Sequence, residues 1–155
     1  MKKILIAVDY DPSAQKIVEM GYSLGKSINA TVILLHVIAD SVYYSSLQYS
    51  PVMGFGGFSP IDDIATLPDA VDLNKAAMDF LQKTKIHLGD ETIQTLTGEG
   101  ETATVILKVA KEMEVDIIVI GSHGRSGLNK LLMGNVAEEV LHHSSIPLFV
   151  IPTKL

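Results

Sequence analysis

Residues 121–137 read GSHGRSGLNKLLMGNVA, and Gly121, Gly124 and Gly134 punctuate this stretch directly after the apolar run Ile117-Ile118-Val119-Ile120. Glycine carries no Cβ, so the main chain can turn through positive φ and bring its N–H groups close to an anion. The helix expected beyond Gly134 adds unpaired N–H groups and a partial positive charge at the same point. Such a segment between a strand and a helix suits the phosphates of a nucleotide or of another phosphorylated ligand.

Other chemistries are excluded or poorly supported. There is no cysteine, so disulfides, thiolate metal sites and thiol nucleophiles are out of play. A G-x4-G-K-S/T loop does not occur, nor does a G-x-G-x-x-G fingerprint after the first apolar run, so a standard NTPase or dinucleotide-dependent dehydrogenase is not expected. His36, His87, His123, His142 and His143 lack metal-ligand spacing with carboxylates, and solvated or helix-capping roles are expected of them. No metal site is encoded, although Mg2+ can arrive with ATP. Arg125 and Lys130 either balance phosphate charge or are ordinary exposed residues.

The elements that must position the glycine segment are legible in the hydropathy pattern. Residues 4–8, 32–37, 117–120 and 148–151 are short runs rich in Ile, Val and Leu, as suits strands buried on both faces of a parallel sheet. Residues 92–97 alternate and are more polar, as in an edge strand. Between these runs lie helical spacings: Ile17, Met20, Gly21, Leu24 and Ile28; Val71, Met78 and Leu81; Val105, Ile106, Val109, Ala110 and Met113; Val136, Val140 and Leu141. Asp11-Pro12-Ser13 opens the first helix with a capping side chain and a proline near the first turn. The order β-α-β-α-β-α-β-α-β with right-handed crossovers predicts an α/β fold, a single doubly wound open sheet of five parallel strands in the order 3-2-1-4-5 with helices on both faces.

The 155 residues read as a single domain with no internal repeat. A net charge of −6 and scattered Lys and Arg residues leave no basic field, so nucleic acid is not an expected partner. Asp9 interrupts the first apolar run well short of a signal-peptide core, and no run reaches membrane-spanning length, so no membrane association is expected and a cytoplasmic location is. A long loop at about 39–67 holds Tyr43, Tyr44, Tyr49, Phe55 and Phe58 of the nine aromatics, and reads either as a lid or partner-binding arm or as a variable insertion.

In open parallel sheets ligands sit outside the carboxyl ends of the strands, where strand order reverses. Asp9, Val37 and the Gly121 segment lie at such ends; Asp9 either accepts from an adenine amino group or ribose hydroxyl, or is simply a polar strand-end residue.

From residue 2 to 152 the chain resembles the universal stress protein family. Nucleotide-binding members of that family carry G-x2-G-x9-G followed by Ser or Thr, and Gly121, Gly124 and Gly134 fall on its three glycines. Lys3-Ile4-Leu5-Ile6-Ala7-Val8-Asp9, Leu35-His36-Val37 and Asp116-Ile117-Ile118-Val119-Ile120-Gly121-Ser122-His123-Gly124 resemble the family's first strand, second strand end, and fourth strand with its loop. The resemblance implies that Ala7, Asp9 and Val37, with Ile120, surround adenine and ribose. It also implies that Gly121, His123, Gly124, Gly134, Asn135 and Val136, with Arg125, line ribose and phosphates. Asn135 departs from the motif's Ser or Thr; its amide can still donate to phosphate, and with Glu138 it can form a capping-box-like pair.

The expected function is that of a non-catalytic module binding ATP or AMP, with a slow ATP hydrolase and a nucleotide-free dimeric adaptor as alternatives. Leu148, Phe149, Val150 and Ile151 are expected to carry a homodimer, because topology leaves this apolar strand at a sheet edge and the family pairs it across a two-fold axis.

Overall fold

The structure is a computed structural model that describes residues 1–39, 70–122 and 135–153. The long loop expected at 39–67 and the glycine segment's His123, Gly124, Arg125 and Gly134 lie outside the described residues, apart from Ala39 at the loop's start.

Five strands, β1 (Lys3–Ala7), β2 (Thr31–Ile38), β3 (Gln94–Glu99), β4 (Ile117–Gly121) and β5 (Leu148–Ile151), alternate with helices α1 (Ala14–Ser27), α2 (Ala70–Leu88), α3 (Thr102–Glu112) and α4 (Asn135–His143). All neighbouring strands are parallel and their order is β3-β2-β1-β4-β5, as the sequence predicts.

Side-chain alternation along each strand divides the interior into two layers. Ile4, Ile6, Val32, Leu34 and Val119 meet Ile17 and Val18 of α1 and Phe80 and Leu81 of α2. On the other face Leu5, Ile33, Leu35, Val37, Ile118 and Ile120 meet Ala103, Ile106 and Ala110 of α3 and Ala137 and Val140 of α4. β1 and β4 are buried on both faces, which is why their sequences are apolar without interruption. β3 is an edge and is polar, with its end residues exposed.

The helices sit differently from the expected stripes. Met20 and Ile28 were expected on the core face of α1, yet they are 41% and 38% exposed. The buried face is Ala14, Ile17, Val18, Gly21 and Gly25. Its small residues let the helix approach the sheet: a Cβ on Gly21 would come within 2.8 Å of Ile6 Cδ1, and one on Gly25 within 2.8 Å of Val32 Cγ2. Likewise Met78 and Leu141 point outward, while Ala77, Phe80 and Leu81 of α2 and Ala137 and Val140 of α4 face the core. Among the described residues no helix is long and apolar enough to cross a membrane.

Candidate functional site

Strand order reverses between β1 and β4: the chain leaves β1 toward β2 on one side and leaves β4 toward β5 on the other. The ladder between β1 and β4 runs only to Ile6↔Val119, whereas β1 stays with β2 through Ala7↔Leu35, and the Val8 N–H donates to the Leu35 carbonyl at 2.8 Å. On its far side β4 follows β5 to Gly121↔Ile151, and the Ser122 N–H donates to the Ile151 carbonyl at 2.8 Å. The two central strands therefore part at their carboxyl ends, where parallel sheets form ligand crevices.

Four of the sequence-selected residues lie in one layer of the core. Val37 and Ile120 are buried in the layer under α3 and α4, and Ala7 and Val136 pack against the same layer half-exposed. Asp9 is half-buried two residues past the end of β1. Asn135 begins α4 and is exposed. The carboxylate of Glu138 lies 3.7 Å from His142 Nε2, one turn onward, instead of reaching back to Asn135 as the expected capping pair requires.

Gly121 has a packing role that the sequence does not reveal. A Cβ there would stand 2.6 Å from Ile17 Cδ1 and 2.9 Å from Thr153 Cγ2, so its missing side chain seats α1 and the chain beyond β5. That contact lies in the core layer opposite Ala7, Val37 and Ile120. Thr153 is buried and its N–H donates to Ser122 Oγ at 3.1 Å, while Lys16 Nζ donates to the Pro152 carbonyl at 2.6 Å.

Two helices that start at this end hold carboxylates of their own. The Asp11 carboxylate accepts the N–H of Ser13, the residue just before α1, at 2.8 Å, and the Ser13 side chain makes no capping hydrogen bond to the helix. Glu101 accepts the N–H groups of Ala103 at 3.0 Å and Thr104 at 2.7 Å at the start of α3. Hydrogen bonding from Thr104 is the main cause that holds the Glu101 carboxyl below the usual carboxylate range.

His36 departs from the expected solvated or capping role. It is 1% exposed, and its Nδ1 lies 2.8 Å from the Val8 carbonyl, immediately before Asp9. Its ring stands 4.4 Å from the Tyr10 ring and 5.8 Å from that of Phe80. The neighbouring signal in the sequence was a lone histidine in an otherwise apolar strand, which reads equally well as core. The exposed histidines do follow the expectation: His87 Nε2 meets Glu19 at 2.9 Å, and His143 Nδ1 lies 2.9 Å from the Glu139 carbonyl one turn back. Among the described residues no cluster of three His, Asp or Glu side chains could hold a metal ion.

The β5 edge needs one correction. Leu148, Phe149 and Val150 are half-buried, but Ile151 is 0% exposed and belongs to the core under α1, so its side chain is not available to a partner.

The model of the universal stress protein family matches residues 1–152. Universal stress protein A homolog 1 of Coxiella burnetii is 32% identical over 91% of this chain and 89% of its own length. Universal stress protein YxiE of Bacillus subtilis is 30% identical over 96% of this chain and 97% of its own. Among solved structures, that of the Methanocaldococcus jannaschii protein MJ0577 superposes with a TM-score of 0.73 at 26% identity, covering 99% of this chain and 97% of that one. A universal stress protein solved in complex with cAMP shares the fold, with a TM-score of 0.64 at 16% identity over 99% of this chain and 98% of that one. With the family match over nearly its whole length and the same sheet order, this chain belongs to the universal stress protein family.

Proposed function

We propose that the protein binds an adenine nucleotide, ATP or AMP, in the crevice between the carboxyl ends of β1 and β4, and that its 155 residues form one domain acting as a dimeric binding and signalling module. The observation that supports this reading is that β1 and β4 part at their carboxyl ends, with Ala7, Val37, Ile120 and Val136 in one core layer and Asp9 two residues past the end of β1. An apolar wall with one carboxylate at its rim fits a flat heterocycle bearing an amino group, because the ring gains contact area while the carboxylate accepts its hydrogen bond.

In this reading adenine and ribose lie against Ala7, Val37 and Ile120 with Asp9 as acceptor. Ribose and phosphates follow Gly121, His123, Gly124, Arg125, Gly134, Asn135 and Val136, and Mg2+ enters with ATP. Asp11 and Glu101 supply anions at the starts of α1 and α3; the ligand's phosphates play that part at the start of α4. The complex of one family structure with cAMP supports a purine nucleotide as the ligand class.

The homodimer is proposed on β5. The sheet's two edges differ in kind, QTLTGE in β3 against LFVI in β5, and an apolar edge strand invites another chain. Light scattering of Val150→Lys, whose side chain is half-buried, should show monomer; an unchanged dimer places the interface elsewhere.

Calorimetry with ATP, ADP and AMP tests the nucleotide reading, together with mass spectrometry of the gently purified protein for co-purified adenylate. Saturable heat that weakens in Asp9→Asn supports it. No heat with any of the three overturns it in favour of the nucleotide-free adaptor.

A further inference from the structure

His36 is the bulkiest polar side chain among the fully buried residues, and it lies in β2 opposite Thr97 of β3. An imidazole in such a place must be hydrogen-bonded, and its Nδ1 is 2.8 Å from the Val8 carbonyl. A carbonyl oxygen only accepts, so Nδ1 carries a proton. The Val8 N–H is held by the Leu35 carbonyl at 2.8 Å. Thus both polar groups of Val8 are held by β2, one through its backbone and one through a side chain. The β1–β2 ladder stops at Ala7↔Leu35, and His36 extends it by one further rung as β1 leaves the sheet.

That rung lies on the peptide joining Val8 to Asp9, so fixing the carbonyl also fixes the plane of the Asp9 N–H. On the far side of Asp9, the Tyr10 ring stands 4.4 Å from the imidazole at 38°, and the Phe80 ring closes on both, 5.0 Å from Tyr10 and 5.8 Å from His36. One side chain therefore grips both neighbours of Asp9, Val8 through its carbonyl and Tyr10 through its ring. We infer that His36 is a positioning residue for the crevice: it holds the backbone that presents Asp9 to the ligand, without touching the ligand itself. This rests on the nucleotide reading above for its functional meaning, but the grip on Asp9 is testable by itself.

The test compares wild type with His36→Leu, which keeps an apolar side chain and removes the donor, and His36→Asn, whose short amide restores one. AMP affinity by calorimetry, thermal melting and the Asp9 amide resonance are read for each. His36→Leu should bind AMP roughly tenfold more weakly and move the Asp9 amide resonance, and His36→Asn should recover affinity to within about threefold. The inference is overturned if the Leu variant binds within about twofold of wild type, or if Leu and Asn variants of equal melting temperature bind equally weakly. If wild type binds neither AMP nor ATP, the nucleotide reading fails, and the Asp9 amide alone decides: displacement in the Leu variant with return in the Asn variant supports the grip, and an unmoved resonance overturns it. If His36→Leu does not fold, the imidazole nitrogen spectrum of wild type decides instead. A ring protonated at Nδ1 supports the inference, and one protonated at Nε2 alone overturns it.

Discussion

The two ends of the parallel sheet are built on opposite principles. At the amino ends, polar side chains close the strand starts: Asp116 accepts the Lys3 N–H at 2.8 Å and Lys2 Nζ at 3.1 Å, and Lys3 Nζ reaches the Met113 carbonyl at 2.9 Å. Asp90, ahead of β3, accepts the Thr92 N–H and the Tyr22 hydroxyl, each at 2.9 Å, with Lys26 Nζ 3.5 Å away. At the carboxyl ends the central strands part, with Asp9 half-buried two residues past the end of β1. The amino end is closed by these contacts, whereas at the carboxyl end polar groups hold helix starts and chain crossings around the gap between β1 and β4. Substitutions at the first should cost stability and spare binding; those at the gap should do the reverse.

The largest effect is expected at a residue that blurs this division. Gly121→Val places side-chain atoms where even a Cβ would be 2.6 Å from Ile17. It should lower the unfolding free energy by about 1–3 kcal/mol, the usual range for overpacking, as read from urea denaturation. A stable Gly121→Val that only loses nucleotide would mean that the glycine serves the ligand alone.

Next comes Asp90→Asn, which keeps the shape but removes the charge that strengthens four contacts, those of the Thr92 N–H and hydroxyl, the Tyr22 hydroxyl and Lys26. A loss of about 1–2 kcal/mol is expected, with AMP affinity unchanged. The pH dependence has a definite sign. Hydrogen bonding from the Thr92 side chain is the main cause that holds the Asp90 carboxyl well below its usual range, and the Lys3 N–H is the main cause that lowers Asp116. Folded-state values below the unfolded ones contribute stability above the ordinary carboxylate pKa of about 4, and that contribution is lost as pH falls through it toward the folded values. Melting temperature should therefore drop from about pH 5 to pH 2, less steeply in Asp90→Asn; an identical slope would remove Asp90 from the account.

Asp9→Asn should show the reverse pattern. Nucleotide affinity should fall roughly tenfold, about 1.4 kcal/mol, with unfolding free energy within about 0.5 kcal/mol of wild type. The smallest effect belongs to Glu114, which ends α3 at φ +53 and donates its N–H to the Lys111 carbonyl at 3.1 Å. Glycine takes that left-handed conformation without the Cβ penalty, so Glu114→Gly should raise stability by about 0.5–1 kcal/mol and leave binding alone.

Much of this architecture was legible in the residues, for identifiable reasons. β1, β2 and β4 are buried on both faces, so their runs of Ile, Val and Leu announce them. Helix faces were harder to read, because α1 packs through Gly21 and Gly25, which hydropathy counts as breaks, while Met20 looks like core and is exposed. Val37 was legible as a site candidate through its position at a strand end, whereas Ala7, Ile120 and Val136 were selected with the family resemblance. The second role of Gly121 was not, since its contact with Ile17 joins residues about a hundred positions apart. Nor was the place of His36, because what separates a core histidine from one gripping Asp9 is a hydrogen bond across strands.

The division between the two ends is tested most directly by titrating AMP into isotope-labelled protein and following every backbone amide. The account predicts that shifts concentrate at Ala7, Val8, Asp9, Val37, Ile120, Gly121, Ser122, Asn135 and Val136, with Lys3, Thr31, Thr92 and Asp116 unmoved. Shifts centred on the amino ends, or no shift at saturating AMP and ATP, would contradict it.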